Sequence, residues 1–190
     1  MSQVGILALQ GDVREHVRMV ASLGYETREV RRPADLEGLE GLVLPGGEST
    51  TIGRLSQRYG LVEPLREAIA GGLPTLGTCA GMILLASGVA EGEQLQLGVL
   101  DAVVRRNAFG RQNDSFEVDL EVKGLVQPFH AVFIRAPWAE YLGPEVEVLA
   151  EIGGHPVLIR SGHMVAGSFH PELTGDARIH KMALSGMGAG

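Results

Sequence analysis

The chain has 190 residues, 45% of them hydrophobic and only 5% aromatic, so it can bury a core and that core must be mainly aliphatic. A formal charge of −7 with no dominant basic stripe argues against a nucleic-acid binder. No apolar run is long enough to span a membrane, and the opening VGILAL is too short and too poorly flanked for a signal peptide. A lone cysteine excludes an internal disulfide and offers no Cys-based metal site. These features predict a cytoplasmic protein built as one domain over residues 1–190.

Residues 4–9 read as a buried strand, followed by an amphipathic helix over residues 12–24 in which Val13, Val17 and Val20 share a face and Gly24 closes the helix. Residues 25–31 form a more exposed strand, and residues 40–44 a third that ends in PGGESTT. Helices are expected around residues 52–56 and over 62–70, closed by Gly71 and Gly72. Residues 74–77 are a short central strand and residues 80–87 a helix. Strand and helix alternating over short connections predict an α/β fold, a mostly parallel central sheet with helices on both faces.

The second half differs. SFEVDLEV, residues 115–122, alternates apolar and acidic positions, the period-two pattern of a half-buried strand. AVFIRAP, VEVLAEIGG, HPVLIRSG and HMVAGSFHPE follow with turn residues between them, which predicts antiparallel strands added to the sheet. A short helix over residues 176–186 ends the pattern.

Cys79 lies at the centre of GTCAG, between a strand and a helix. Its apolar neighbours Leu76, Met82, Ile83 and Leu84 allow a plain core reading. Gly77 and Gly81, two residues to either side, allow a second: a sharp strand-to-helix elbow presenting a nucleophile. On that reading the helix N-terminus favours the thiolate, and the Ala80 N–H points to where an oxyanion forms.

A cysteine nucleophile needs a base and an orienter. Among six histidines, His16 is expected at the surface, and His130, His155 and His163 have no acid placed to hold them. His180 sits in the last helix. In GSFHPE, His170 follows an apolar strand and Pro171 stiffens the link to Glu172; extended backbone would put both side chains on one face. Cys79, His170 and Glu172 thus form a nucleophile, base and orienter. PGGESTT is either a turn with a helix cap or a loop whose Gly46 or Gly47 N–H serves an oxyanion; it lacks the Lys of a P-loop.

PGGEST, GTCAG, RNAFGRQ, FIRAP and SFHPEL, in this order, resemble the glutaminase subunits of pyridoxal 5'-phosphate synthase, which belong to the triad, or class I, glutamine amidotransferases. The resemblance spans essentially the whole chain. It implies hydrolysis of L-glutamine to glutamate and ammonia through a Cys79 thioester, with His170 moving the proton and Glu172 orienting it. The oxyanion donors fall on the backbone N–H groups of Gly47 and Ala80. Glutamine recognition falls on Gly46, Gly47, Glu48, Ser49, Arg106, Ile134 and Arg135. An amino-acid ligand needs a cation for its carboxylate and an anion or carbonyl for its ammonium, roles that Arg106, Arg135 and Glu48 can fill.

Gln10, in the family's LQG motif, is assigned to assembly of the oxyanion hole on partner binding. The implied partner is a barrel-shaped synthase subunit in a large hetero-oligomer. No cofactor and no metal are implied, pyridoxal 5'-phosphate being the product of the synthase. The chain departs from the family at its short glycine-rich end, residues 185–190. Competing readings are an amidotransferase subunit or cysteine hydrolase of another pathway on the same fold, and a non-catalytic binding module.

Overall fold

The computed structural model describes residues 2–187, so the last residues of the glycine-rich end lie outside it. In chain order the first half contains β1 (Gln3–Leu7), α1 (Val13–Ser22), β2 (Glu26–Val30), β3 (Gly41–Leu44), α2 (Ser49–Arg58), α3 (Val62–Ala70), β4 (Thr75–Thr78) and α4 (Ala80–Leu85). The second half contains β5 (Ala86–Val89), β6 (Leu100–Arg105), β7 (Ser115–Leu120), β8 (Phe129–Ile134) and β9 (Trp138–Leu142). It closes with β10 (Glu147–Ile152), β11 (His155–Ser161), β12 (Met164–Gly167) and α5 (Arg178–Leu184).

A seven-stranded sheet in the order β10-β11-β12-β4-β3-β1-β2 forms the centre. From β12 to β2 every pairing is parallel, and β10, β11 and β12 extend it antiparallel. The strands β3, β4 and β12 are buried throughout, as expected where helices cover both faces. Period-two geometry divides the core accordingly. Leu42 and Leu44 point into a cluster with Leu65 and Ile69 of α3, whereas Val43 points into one with Val20 of α1 and Ile179 of α5.

Two small sheets accompany the main one, β5-β6-β9 and the hairpin β7-β8. They refine the expectation that every late strand joins the central sheet. The helix expected over residues 80–87 is shorter, because Ala86 turns extended (ψ 156°) and β5 pairs in parallel with β6. Ser87 and Gly88 are weak helix formers, and pairing takes them over. No expectation covered β6 or β9. Among the described residues no helix is long and apolar enough to cross a membrane.

His16 is the clearest correction. Expected at the surface, it is fully buried. It lies three residues from Val13 and four from Val20, on the face that α1 turns inward, and it pays for burial with hydrogen bonds to His180 and Thr78.

Candidate active site

The C-terminal edge of the parallel strands gathers the site. In register, Leu44 of β3 lies beside Gly77 of β4, and Gly167 of β12 beside Thr78. The residues that follow those strands, Gly46, Cys79 and His170, therefore emerge at one edge, where open α/β sheets bind ligands. A cavity of about 320 Å³ opens there, with Cys79 and His170 both in its wall.

Cys79 adopts φ 49° and ψ −103°, a strained conformation for a side chain-bearing residue. The elbow depends on its glycines. A Cβ on Gly81 would run into the Leu44 carbonyl oxygen, and one on Gly77 would lie 2.8 Å from the Gly81 backbone. The Cys79 N–H donates to the Gly167 carbonyl at 2.7 Å, tying the elbow to β12. The helix behind the sulfur is only six residues long, so its field is that of a short helix. Sγ lies 4.0 Å from the Ile134 carbonyl oxygen, which it meets as a long, weak hydrogen bond.

His170 immediately precedes a 3-10 turn, Pro171–Leu173, so its link to Glu172 is not the extended dipeptide expected. Pro171 suits the first position of that turn, and the tight backbone brings Glu172 round to the ring. His170 Nδ1 contacts Glu172 Oε1 at 2.7 Å and Asp12 Oδ2 at 3.1 Å. Burial disfavours a charged His170, but hydrogen bonds with Asp12, Cys79 and Glu172 outweigh it and push its pKa up to about 12. The carboxyl of Glu172 is raised chiefly by its own burial, although His170 pulls it down. These two tendencies disagree about the pair. We assign an imidazolium facing carboxylates, because two acids converge on a single ring nitrogen and one bond is short.

The remaining predicted residues divide. Gly47 and Ala80 line the cavity beside Cys79. Gly46 lies behind it, where a Cβ would stand 2.6 Å from His170 Cε1. Glu48, Ser49 and Ile134 are in the wall. The Glu48 carboxylate caps α2, accepting the N–H groups of Thr50 at 3.0 Å and Thr51 at 2.8 Å. Those bonds, led by the Thr51 hydroxyl, hold its pKa near about 2. The Glu48 N–H donates to Gln10 Oε1 at 2.7 Å, so the Gln10 side chain braces the Gly47 loop.

Arg106 and Arg135 reach the cavity from outside the central sheet, directly after β6 and β8. Phe109 anchors the Arg106 loop by packing edge-on against Phe116, Phe133 and Trp138. Neighbouring Arg105 instead pairs with Glu91 and Glu140. Among the described residues three non-glycines have positive φ, Cys79, Asn107 and Arg135, and all three line this cavity. Strain is concentrated at one place on the molecule.

Asp12 and Asn107 are site residues that sequence reasoning missed. Asp12 had a signal: it follows β1 at the same sheet edge, two residues after Gln10. His130 is a smaller correction. Expected to lack an acid, it meets Asp119 at 2.8 Å and Glu117 at 2.6 Å across the β7-β8 hairpin, away from the cavity. Asp12, His170 and Glu172 are also close enough together to resemble a metal-binding cluster. The direct contacts of both acids to one imidazole nitrogen fit proton holding better than metal ligation.

This architecture is that of the class I glutamine amidotransferases. A crystal structure described as a glutamine amidotransferase superposes with a TM-score of 0.91 at 55% identity, covering 96% of this chain and 97% of that one. A glutamine amidotransferase from Thermotoga maritima shares the fold at 15% identity and a TM-score of 0.59, over 97% of this chain and 82% of that one. The model of the SNO glutamine amidotransferase family matches residues 6–187, and the chain belongs to that family. It is 56% identical to the pyridoxal 5'-phosphate synthase subunit PdxT of Mycolicibacterium vanbaalenii, covering 97% of each chain. It is 61% identical to the PdxT subunit of a Parafrankia species over 95% of this chain and 90% of that one.

Proposed function

We propose that the chain, acting as one domain over residues 1–190, hydrolyses L-glutamine to L-glutamate and ammonia and delivers the ammonia to a cytoplasmic pyridoxal 5'-phosphate synthase partner. The observation that carries the chemistry is the strained Cys79 sharing one cavity with a His170 held by carboxylates.

Cys79 Sγ attacks the side-chain amide carbon while His170 holds the thiol proton. The Gly47 and Ala80 N–H groups stabilise the oxyanion of the tetrahedral intermediate. Collapse breaks the C–N bond, and His170 passes its proton to the departing nitrogen, leaving a Cys79 thioester and free ammonia. His170 then takes a proton from water, which hydrolyses the thioester to glutamate and restores the thiol. Glu172 keeps Nδ1 of His170 occupied, so that Nε2 serves the sulfur. Arg106 and Arg135 meet the substrate α-carboxylate at the cavity rim; Gly46, Glu48, Ser49 and Ile134 shape the pocket for the rest of the amino acid.

The Gln10–Glu48 bond supports a coupling role for Gln10, since a partner that engages the Gln10 loop would shift the Gly47 N–H. Pyridoxal 5'-phosphate is then the partner's product and not a cofactor of this chain. The test is ammonia release from glutamine, with and without the synthase, for the wild type and for Cys79→Ala. We expect low activity alone, clear stimulation by the partner and none from the variant. Turnover by Cys79→Ala would overturn the mechanism.

A further inference from the structure

Behind Glu172 lies a pair of imidazoles that the reaction does not touch. His16 Nδ1 is 2.8 Å from His180 Nε2, and His16 Nε2 is 3.1 Å from Thr78 Oγ1 and 3.4 Å from Glu172 Oε2. All of these side chains are buried, and they come from α1, α5, β4 and the turn after β12. Two orphaned atoms mark the ends of the group: Glu172 Oε2 and His180 Nδ1 have no well-formed hydrogen bond of their own.

We propose that His16 and His180 are positioning residues that fix the free oxygen of Glu172 through hydrogen bonds donated in one direction, from α5 to the carboxylate, which accepts from His170 on its other oxygen. This rests on the reading that Glu172 orients His170 for Cys79. Valence decides the direction. If His180 carried its proton on Nδ1, a buried N–H would face no acceptor, the costlier kind of orphan. With the proton on Nε2, His180 donates to His16 Nδ1, and the bare Nδ1 of His180 is only an unused lone pair. His16 must then carry its own proton on Nε2 and share it between Thr78 Oγ1 and Glu172 Oε2. The opposite tautomer would set a lone pair against a carboxylate oxygen. The chain therefore reads His180 Nε2–H to His16 Nδ1 and His16 Nε2–H to Glu172 Oε2, while His170 Nδ1–H donates from the other side to Glu172 Oε1.

Burial agrees with two neutral rings. It lowers His180 to about 4, and together with the nearby His180 and His170 it holds His16 well below its ordinary value. A neutral His16 can still donate to the carboxylate. Glu172 has one oxygen committed to His170, and without His16 it would be free to rotate and release that bond. The consequence is that the buried Glu172 carboxylate is held by a residue of the first helix, which is itself held by the last.

Two measurements test this. In ¹⁵N-labelled wild type at about neutral pH, imidazole nitrogen shifts should show both rings as neutral Nε2–H tautomers. A Nδ1–H tautomer or an imidazolium at either ring would overturn the assignment. In the ammonia-release assay with the synthase present, His16→Leu should lower kcat about tenfold with KM for glutamine unchanged, a part of the roughly 10²–10⁴ that general acid–base catalysis supplies. His16→Gln, whose amide N–H can stand near the lost Nε2–H, should recover most of that loss; His180→Leu should cost less than His16→Leu. Wild-type kcat in a folded His16→Leu, or equal loss in the Leu and Gln variants, sinks the proposal. Should His16→Leu fail to fold, the wild-type tautomers and His16→Gln still decide. Activity in Cys79→Ala would instead overturn the underlying triad reading.

Discussion

Among the described residues an imidazole meets two carboxylates twice, and only one of the two arrangements leaves a ring nitrogen free. His130, on the exposed face of the β7-β8 hairpin, spends both ring nitrogens, Nδ1 on Asp119 and Nε2 on Glu117. His170 receives both of its acids, Glu172 and Asp12, on Nδ1 alone. Its other nitrogen is left for the cavity it shares with Cys79. Both rings are pulled toward the charged form, His130 by Glu117 and then Asp119, His170 by its partners against its burial. Charge alone therefore does not make a base. What distinguishes His170 is a shared donor position, burial and a strained cysteine lining the same cavity.

Removing the buried acid should break this contrast most severely. Glu172→Ala frees the His170 ring to turn and to exchange tautomers, and we expect kcat for glutamine to fall roughly 10²-fold or more, with KM little changed. Steady-state ammonia release with the synthase present reads both parameters. A kcat within a few-fold of wild type would show that Asp12 suffices.

Asp12→Asn sharpens the comparison from the other side. Asp12 is the more exposed of the two acids and its contact with Nδ1 is longer, 3.1 Å against 2.7 Å. We expect a loss of about three- to tenfold in kcat, smaller than at Glu172, since a neutral amide keeps the shape and removes only one of two charges. The carboxyl of Asp12 is itself held below 3.8, chiefly by its bond to His170. Its stabilising contribution is therefore present above the unfolded value and is lost as pH falls through the lowered folded one. The stability gap between wild type and Asp12→Asn should accordingly close in acid.

How much of this was legible depends on how local each signal is. GTCAG carries its elbow within five consecutive residues, and Gly81 meets the Leu44 carbonyl at the elbow itself. The His170–Glu172 pair is legible as a neighbouring pair even though the backbone joining them is a 3-10 turn and not a strand. Asp12 and His16 lie near one end of the chain, whereas His170, Glu172 and His180 lie near the other, so only the fold brings the two groups into contact. His16 shows the limit of reading polarity as exposure: its position on α1 points inward with Val20, yet a polar side chain at such a position suggests solvent until its partners are known. The small β5-β6-β9 sheet escapes for another reason: its pairings are interrupted by register shifts, and the alternating burial of β6 is hidden in sequence by the consecutive apolar residues Ala102, Val103 and Val104.

The smallest expected effect tests the comparison at its other end. The acids of His130 are found only through hairpin register, which sets Asp119 directly opposite it. His130→Ala should leave ammonia release unchanged, because the ring lies outside the cavity and has no free nitrogen. Exposed ion pairs are screened and entropically costly, so the midpoint of thermal unfolding near neutral pH should move by less than about 2 °C. Its sign with pH is fixed by the raised pKa. Folding favours the protonated ring, so any stabilisation is fully present below the unfolded value of 6.5 and disappears as pH rises through the folded value. Wild type and His130→Ala should thus differ slightly in mildly acidic buffer and coincide in alkaline buffer. Double-mutant cycles with Glu117→Gln would trace that difference to the pair. If His130→Ala instead lowered glutamine turnover as Glu172→Ala does, two acids around an imidazole would be enough, and burial with a spare nitrogen would not be what separates the two sites.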